Sequence, residues 1–227
     1  MLNNLTIFFV GLFAVLSVGV GIFSFWRNPK SLTVLLWFLM SLAVGLWSFG
    51  LLLLLLSGKE DEVILYSKIL HIGASFIPIF FCHFVLNFLL QDQNKKTFLV
   101  IGYLFAIIFS LFSILGNFIV SGASPKVGFN LWLDAGSLYW LFILYFSFFT
   151  LSSVYFLING YKHNGGVRRR KIFYILIAAI IGFGGGMTNL LPQTIGVYPF
   201  GNFFAWLYPL LITYGIFIDE IKIKIRF

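Results

Sequence analysis

Charged residues are scarce in this chain. Asp, Glu, Lys and Arg make up 10% of its 227 residues, whereas a soluble domain carries roughly 25%. Hydrophobic residues account for 60% of the sequence and aromatic residues for 20%. Apolar runs of about 20 residues, the length that crosses the hydrocarbon core of a bilayer, occur repeatedly. The composition excludes a soluble globular protein and predicts an integral membrane protein with no soluble domain.

Cysteine is also scarce, and the N-terminus lacks the features of a secretory signal. Cys82 is the only cysteine, so an internal disulfide is excluded. The first four residues carry no positive charge, and no small-residue cleavage site follows the first apolar run. A signal peptide has both features, so the first segment is predicted to be a retained membrane span.

Apolar runs separated by Gly, Pro, Asn and Ser predict seven transmembrane helices. The predicted spans are residues 5–26, 32–56, 63–90, 98–120, 138–158, 172–191 and 200–218. In hydrocarbon only helices and closed barrels satisfy their backbone groups, and runs of this length without strict alternation are helical. The expected fold is an all-α membrane protein, a seven-transmembrane-helix bundle that forms one membrane domain over residues 1–227.

Basic residues are divided unevenly between the two sides of the predicted bundle. Twelve of the 15 Lys and Arg residues lie in the loops after the first, third and fifth spans and in the C-terminal tail. Only Lys59, Lys68 and Lys126 lie on the other side. The positive-inside rule therefore predicts an external N-terminus and a cytoplasmic C-terminus. The net charge of +8 is attributed to topology and to contact with anionic lipid headgroups; the lipid bilayer is the expected partner, and nucleic acid is not.

Ionisable residues are missing from the predicted spans almost completely. No Asp or Glu lies within any span, which argues against proton-coupled transport and against a paired-aspartate intramembrane protease. The seventh span has no Lys that could form a retinal Schiff base. None of the predicted spans has the regularly spaced arginines of a voltage sensor. His71 and His83 lie about 18 Å apart along one helix, and no other span offers a histidine, so neither a metal nor another cofactor is expected.

Glycine, in contrast, is concentrated in "IIGFGGGMTNLLP", residues 180–192. A dinucleotide-binding loop needs a different glycine spacing, between a strand and a helix and facing water. Gly182 and Gly186 instead lie one turn apart on one face of a predicted span. Small residues at this spacing let neighbouring helices approach closely in lipid. We therefore interpret Gly182 and Gly186 as a helix-packing seam.

Mild polarity remains, mostly on the third predicted span and at the outer ends of others. Five polar residues are expected at similar depth near the outer surface: Lys68, His71, Asn117, Asn189 and Asn202. They either line a small outward-facing cavity that binds a ligand, or form ordinary hydrogen bonds between helices and at headgroup level. Glu60–Glu62 and Asp134 are candidate ion-pair partners for Lys68.

The predicted outer loop before the fifth span is rich in aromatic residues. Phe129, Trp132, Tyr139 and Trp140 lie there, at the height where aromatic side chains usually form an interfacial belt. A lid over the cavity is the alternative interpretation of this segment.

Several stretches resemble the N-terminal seven-helix region of bacterial sensor histidine kinases. They are "FWRNPKSLTVLLWFLMSLAVGLWSFG", "LHIGASFIPIFFCHFVLNFL", "DAGSLYWLFILYF" and "RRRKIFYILIAAIIGFGGGMTNLLPQTIGVYPFGNFFAWLYPLLITYGIFIDEIKI". The last stretch has the family's order of a basic entry, a glycine-rich span, Asn-x-x-Pro, Tyr-Pro and a final Tyr-Gly-Ile-Phe. The resemblance implies a sensory input module of a bacterial plasma membrane that detects an external or intramembrane cue and relays a helix movement to a cytoplasmic transmitter.

The sequence departs from that family pattern after the last span. It contains no phospho-acceptor histidine box and no ATP-binding motif, and His163 is the only histidine in a predicted cytoplasmic loop. We therefore do not expect this chain to be an enzyme. The transmitter is either a separate partner or part of a longer protein of which this chain is a fragment, and homodimerisation is left open. The alternative function is a small-molecule permease or an accessory subunit of a membrane complex, although no internal repeat supports a transporter.

Overall fold

A computed structural model describes residues 2–224, with side chains described as far as residue 218. The long helices are α1 (Leu2–Arg27), α2 (Leu32–Leu56), α3 (Glu60–Phe88), α4 (Lys96–Ile114), α5 (Tyr139–His163), α6 (Gly166–Met187) and α9 (Leu207–Lys224). The short helices are α7 (Leu191–Thr194) and α8 (Asn202–Ala205), and the strands are β1 (Val120–Lys126) and β2 (Phe129–Ala135). Short 3-10 turns at Gln93–Lys95 and Thr188–Leu190 precede α4 and α7.

The chain is a helical membrane bundle. Within residues 2–224, six helices are long and apolar enough to cross a bilayer, and a seventh apolar stretch, Asn202–Ile218, is shorter. That stretch is divided between α8 and α9 because Pro209 lacks the N–H that would bond the carbonyl of Ala205. The predicted fourth span also differs from the structure, since α4 ends at Ile114 and Val120 already belongs to a strand.

Helix α3 lies at the centre of the bundle. In its most apolar stretch 72% of the residues are buried, against 28% in α1 and α4. A Cβ atom on Gly73 would lie 2.6 Å from the carbonyl oxygen of Ala43 in α2. Glycine is therefore required where these two backbones meet, as is common between helices in lipid.

Pro78 interrupts the hydrogen bonding of α3 at mid-length. Proline has no N–H, so the carbonyl of Ala74 loses its helical donor. Tyr145 of α5 donates from its hydroxyl to the neighbouring carbonyl of Ser75 at 2.8 Å. A side chain from another helix thus adds a hydrogen bond next to the place where the α3 ladder is interrupted.

An antiparallel β-hairpin replaces the predicted outer loop. Strands β1 and β2 pair from Val120 and Ala135 to Lys126 and Phe129, with irregular register at two places. Val127 and Gly128 form the turn, and Gly128 has φ +82, in the left-handed region that favours glycine. The fold class stays all-helical, and the segment expected to be a loop is a hairpin because its two strands satisfy each other's backbone groups.

The glycine-rich part of α6 packs against the C-terminal segment through one of the two predicted glycines and through one that was not predicted. A Cβ atom on Gly182 would lie 2.5 Å from the ring of Tyr208, and one on Gly185 would lie 2.8 Å from the carbonyl oxygen of Gly201. A Cβ atom on Gly186 would meet nothing within 4 Å. The seam is therefore Gly182 and Gly185, three residues apart, and Gly186 is not part of it because it faces open space.

Candidate functional site

A cavity of about 70 Å³ lies inside the bundle next to the hairpin. Helices α1, α2, α3, α5, α6 and α9, strand β2 and the segment that follows α6 all contribute to its wall. On α2 the wall extends from Met40 to Leu51, about 16 Å along the helix axis. The cavity is therefore narrow and elongated, and has room for about five water molecules.

The wall of this cavity is apolar and aromatic with a few polar side chains. The residues with a polar or ring N–H or O–H group are Trp47, His71, Trp132, Tyr139, Asn189, Gln193 and Tyr208. None of the described lining residues is Asp, Glu, Lys or Arg. A charged molecule would lose its hydration without finding a counter-charge, so the site suits an uncharged one.

The hairpin covers the cavity through a buried hydrogen-bonded cluster. Trp132 of β2 donates from Nε1 to the Oε1 of Gln193 at 2.6 Å. Gln193 in turn donates from Nε2 to the hydroxyl of Tyr139 and, at 3.0 Å, to the carbonyl of Asn189. These contacts join the hairpin, the start of α5 and α7. The arrangement agrees with the lid interpretation of this segment.

The aromatic residues of the hairpin segment mostly point inward. Trp132 is 1% exposed, Tyr139 is fully buried and Phe129 is 7% exposed, whereas Trp140 is 61% exposed. Phe129 stacks on Tyr198, with ring centroids 5.0 Å apart. Of the four residues expected in an interfacial belt, only Trp140 has the exposure that a belt requires.

The segment between α6 and α9 is held by a pair of asparagines. Asn189 donates from Nδ2 to the Oδ1 of Asn202 at 2.8 Å, and Asn202 donates back at 2.9 Å. Thr188 accepts from the backbone N–H of Gly201 at 3.1 Å through its hydroxyl. The two asparagines are buried, so this reciprocal pairing satisfies amides that would otherwise be costly to bury.

His71 is the buried polar group in the wall that keeps an unused hydrogen-bonding atom. Its side chain is 2% exposed and lies against Tyr139 and Phe142, with ring centroids 5.8 and 5.4 Å away. Its Nδ1 lies 2.7 Å from the carbonyl oxygen of Ser67. A carbonyl only accepts, so in neutral His71 the proton is on Nδ1 and Nε2 carries a lone pair. Among the described residues no donor reaches that Nε2.

The five predicted site residues do not form one cluster. His71 and Asn189 line the cavity, and Asn202 holds Asn189 without lining it. Lys68 is half-buried on the side of α3 that meets α4, where its carbonyl accepts from Ser113 at 3.0 Å. Asn117 is exposed, because α4 ends before it. Helix α4 contributes nothing to the described wall, so residues near it fall outside the site.

Two of the four acidic residues considered as partners for Lys68, Glu62 and Asp134, pair with other lysines. Asp134 lies 2.7 Å from the Nζ of Lys126, and Glu62 lies 3.5 Å from the Nζ of Lys59. Partial burial opposes ionisation of Asp134, but hydrogen bonds from Lys126 and Ser124 and the lysine charge outweigh it and lower the pKa of this carboxyl. The ion pair ties β1 to β2 beside the cavity cover.

Sequence reasoning missed Gln193 and did not place Trp132 and Tyr139 in the site. The available signal was weak: FNLWLDA after Gly128 has apolar residues typical of a strand, but VSGASPK before the turn is poor in strand-forming residues. Gln193 follows Pro192 in a segment that resembles an ordinary loop. Within the described residues, no group of three or more His, Cys, Asp or Glu side chains is placed to hold a metal ion.

Comparisons with known proteins agree with the architecture. No curated protein matches the chain. The family model described as the N-terminal 7TM region of histidine kinase matches residues 9–221, which includes every helix that lines the cavity. The chain is therefore a multi-pass membrane protein that belongs to the family of N-terminal 7TM regions of histidine kinases.

Proposed function

We propose that the chain is a sensory input module that receives a cue in the cavity beneath the hairpin and relays it to a cytoplasmic transmitter. The transmitter belongs either to the same polypeptide or to a separate partner. The observation that carries the proposal is a cavity lined by six helices in a chain of the histidine kinase 7TM family. A molecule in such a cavity touches most of the bundle at once.

Helix α9 is the proposed output element. Its Tyr208 lines the cavity and donates to the Sδ of Met40 at 3.1 Å. One turn further, Thr213 accepts from the Nε1 of Trp37 at 3.2 Å. A cue that displaces Tyr208 therefore strains contacts that hold α9 against α2. Signalling requires that the cue binds one position of α9 more tightly than the other.

We further propose seven spans with the hairpin and the N-terminus outside and the C-terminus in the cytoplasm. The support is the uneven distribution of Lys and Arg, and Asn202–Ile218 serves as the seventh span. A reporter fused after Lys171 should be active only in the cytoplasm, and one fused after Lys126 only outside. Cytoplasmic activity at Lys126 would contradict this topology.

The sensory role is testable in a chimera that joins a kinase transmitter after Phe227. We expect His71→Ala and Asn189→Ala to abolish the cue-dependent output, because both residues line the cavity. Asn117→Ala is the matched control and should retain output, since Asn117 is exposed and away from the wall. Protein level should be similar in all three variants. Asn189→Ala should also lower the melting temperature, because it leaves the buried amide of Asn202 without its partner.

Two outcomes would count against this function. Wild-type output in both His71→Ala and Asn189→Ala would mean that the cavity has no role in signalling and that these two residues only contribute to packing. Solute uptake by the chain, with a transmitter that never responds, would favour the alternative of a permease.

Lys68 and Asn202 belong to the proposal only indirectly: Asn202 positions Asn189, and Lys68 lies one turn from His71 on the same helix.

A further inference from the structure

We infer that the cavity binds a small, uncharged, mainly apolar molecule that carries one hydroxyl group, of the kind of a short straight-chain alcohol. This inference rests on the proposed sensory role and names the chemistry of its cue. It depends on the hydrogen-bonding atoms that the wall leaves unused, on the shape of the cavity and on its lack of charge.

Most polar atoms of the wall already have protein partners. Gln193 uses its Oε1 for Trp132 and its Nε2 for Tyr139 and Asn189. Asn189 uses its amide for Asn202 and the carbonyl of Gly186. These hydrogen bonds hold the hairpin and the segment after α6 in place, and they leave few free donors or acceptors for a ligand.

Two neighbouring rings of the wall have unused hydrogen-bonding groups. The Nε2 of His71 has a lone pair that no described donor reaches. The hydroxyl of Tyr139 accepts from Gln193, and among the described residues no acceptor takes its proton. The ring centroids of His71 and Tyr139 lie 5.8 Å apart. Trp47, which also lines the cavity, adds a ring N–H that no described acceptor takes. The cavity thus presents an acceptor on His71 and donors on Tyr139 and Trp47, and a ligand hydroxyl can donate to His71 and accept from one of the two donors.

The rest of the wall selects the body of the ligand. Beyond His71 and Tyr139 the cavity continues between apolar side chains such as Val44, Ile77 and Phe183. A volume of about 70 Å³ is about half of the engineered cavity of about 150 Å³ that holds one benzene ring. The space therefore fits a molecule of about three non-hydrogen atoms, such as ethanol, and excludes an aromatic ring.

The test uses the fact that the chain has only three histidines. The full chain, labelled with 15N-histidine in lipid nanodiscs, is titrated with ethanol and with its hydroxyl-free analogue chloroethane. The 15N resonance of a bare Nε2 lone pair moves when it accepts a hydrogen bond. We expect ethanol to shift the His71 Nε2 resonance saturably and chloroethane to leave it in place.

Two internal controls separate binding from effects of the alcohol on the bilayer. His83 lies on the same helix, pairs through Nδ1 with the Tyr103 hydroxyl at 2.8 Å and does not line the cavity, so its resonance should stay unchanged. Gly186→Leu places a side chain into the cavity and should abolish the His71 shift. Gly184→Leu, which also meets open space but lies outside the wall, should retain it.

Several results would overturn the inference. One is an Nε2 resonance already at its hydrogen-bonded position and unmoved by alcohol, which would mean that water fills the site. Others are parallel shifts of His71 and His83, equal shifts with chloroethane, or an undiminished shift in Gly186→Leu. The titration needs no transmitter, so it can fail while the chimera still signals to another cue. Conversely, saturable binding with a silent chimera would refute the sensory role and keep the site.

Discussion

Around the second half of α3 the bundle is filled, whereas around the first half of the same helix it encloses a cavity. Phe81, Phe84 and Leu86 are each fully buried. Phe81 contacts Phe183 of α6, and Phe84 contacts Trp37 of α2, with ring centroids 4.7 and 6.1 Å apart. Around His71, in contrast, α2, α5 and α6 leave space between their side chains.

The difference between the two halves shows how a bundle that is apolar throughout can contain a cavity in one half only. In the filled half, aromatic rings from several helices interlock, and dispersion between them holds the helices together. In the cavity half, the helices are held apart by a cover whose members are joined by hydrogen bonds, Trp132 to Gln193 and Gln193 to Tyr139. Directional bonds can fix positions across a gap, which close packing cannot do.

The largest expected effect compares two leucines of α3. Leu86→Ala should lower stability by about 3 kcal/mol, because it empties a fully packed position. Leu70→Ala should cost about 1–2 kcal/mol, because Leu70 already borders the cavity and has fewer contacts to lose. Unfolding in a defined detergent, followed by the loss of helix signal, measures both. Equal losses would mean that the two halves are packed alike.

A second prediction compares two faces of α6 in the cavity half. Gly185→Val should destabilise the bundle by about 2 kcal/mol, because the new side chain would collide with the backbone of Gly201. Gly186→Val should leave the melting temperature nearly unchanged, because its side chain enters open space. A large loss of melting temperature in Gly186→Val would mean that Gly186 belongs to the packing seam, as the sequence predicted, and does not line the cavity.

The smallest effect concerns the ion pair of the cover. The pKa of Asp134 is lowered in the folded state, so its stabilising contribution is present above the ordinary carboxyl pKa of about 4 and is lost as pH falls through the lower folded value. Asp134 and Lys126 are partly exposed, so the contribution is at most about 1 kcal/mol. Melting of wild type and Asp134→Asn should differ at pH 6 and converge toward pH 3. A constant difference over this range would show that the ion pair is not its source.

Part of the site was predictable, and the limits have physical causes. Hydropathy and loop residues locate the helices because the bilayer imposes their length and composition. His71 and Asn189 stood out as polar groups in apolar segments, where polar groups are costly. Asn117 was misplaced because hydropathy does not mark the end of α4 at Ile114. Gly186 was assigned to a seam because glycine spacing gives a helix face but not the neighbour of that face.

The sequence by itself determined that this protein is a helical membrane bundle of the histidine kinase 7TM family, because long apolar runs have few other solutions in lipid. Only the tertiary structure decided which faces meet and where they fail to meet. Gly182 contacts Tyr208 while Gly186 borders a cavity, although both lie in the same apolar run. The hairpin likewise covers the cavity because Trp132 donates a hydrogen bond to Gln193, which lies 61 residues away in the sequence. Contacts of that kind depend on how distant segments pack, and local sequence does not encode them.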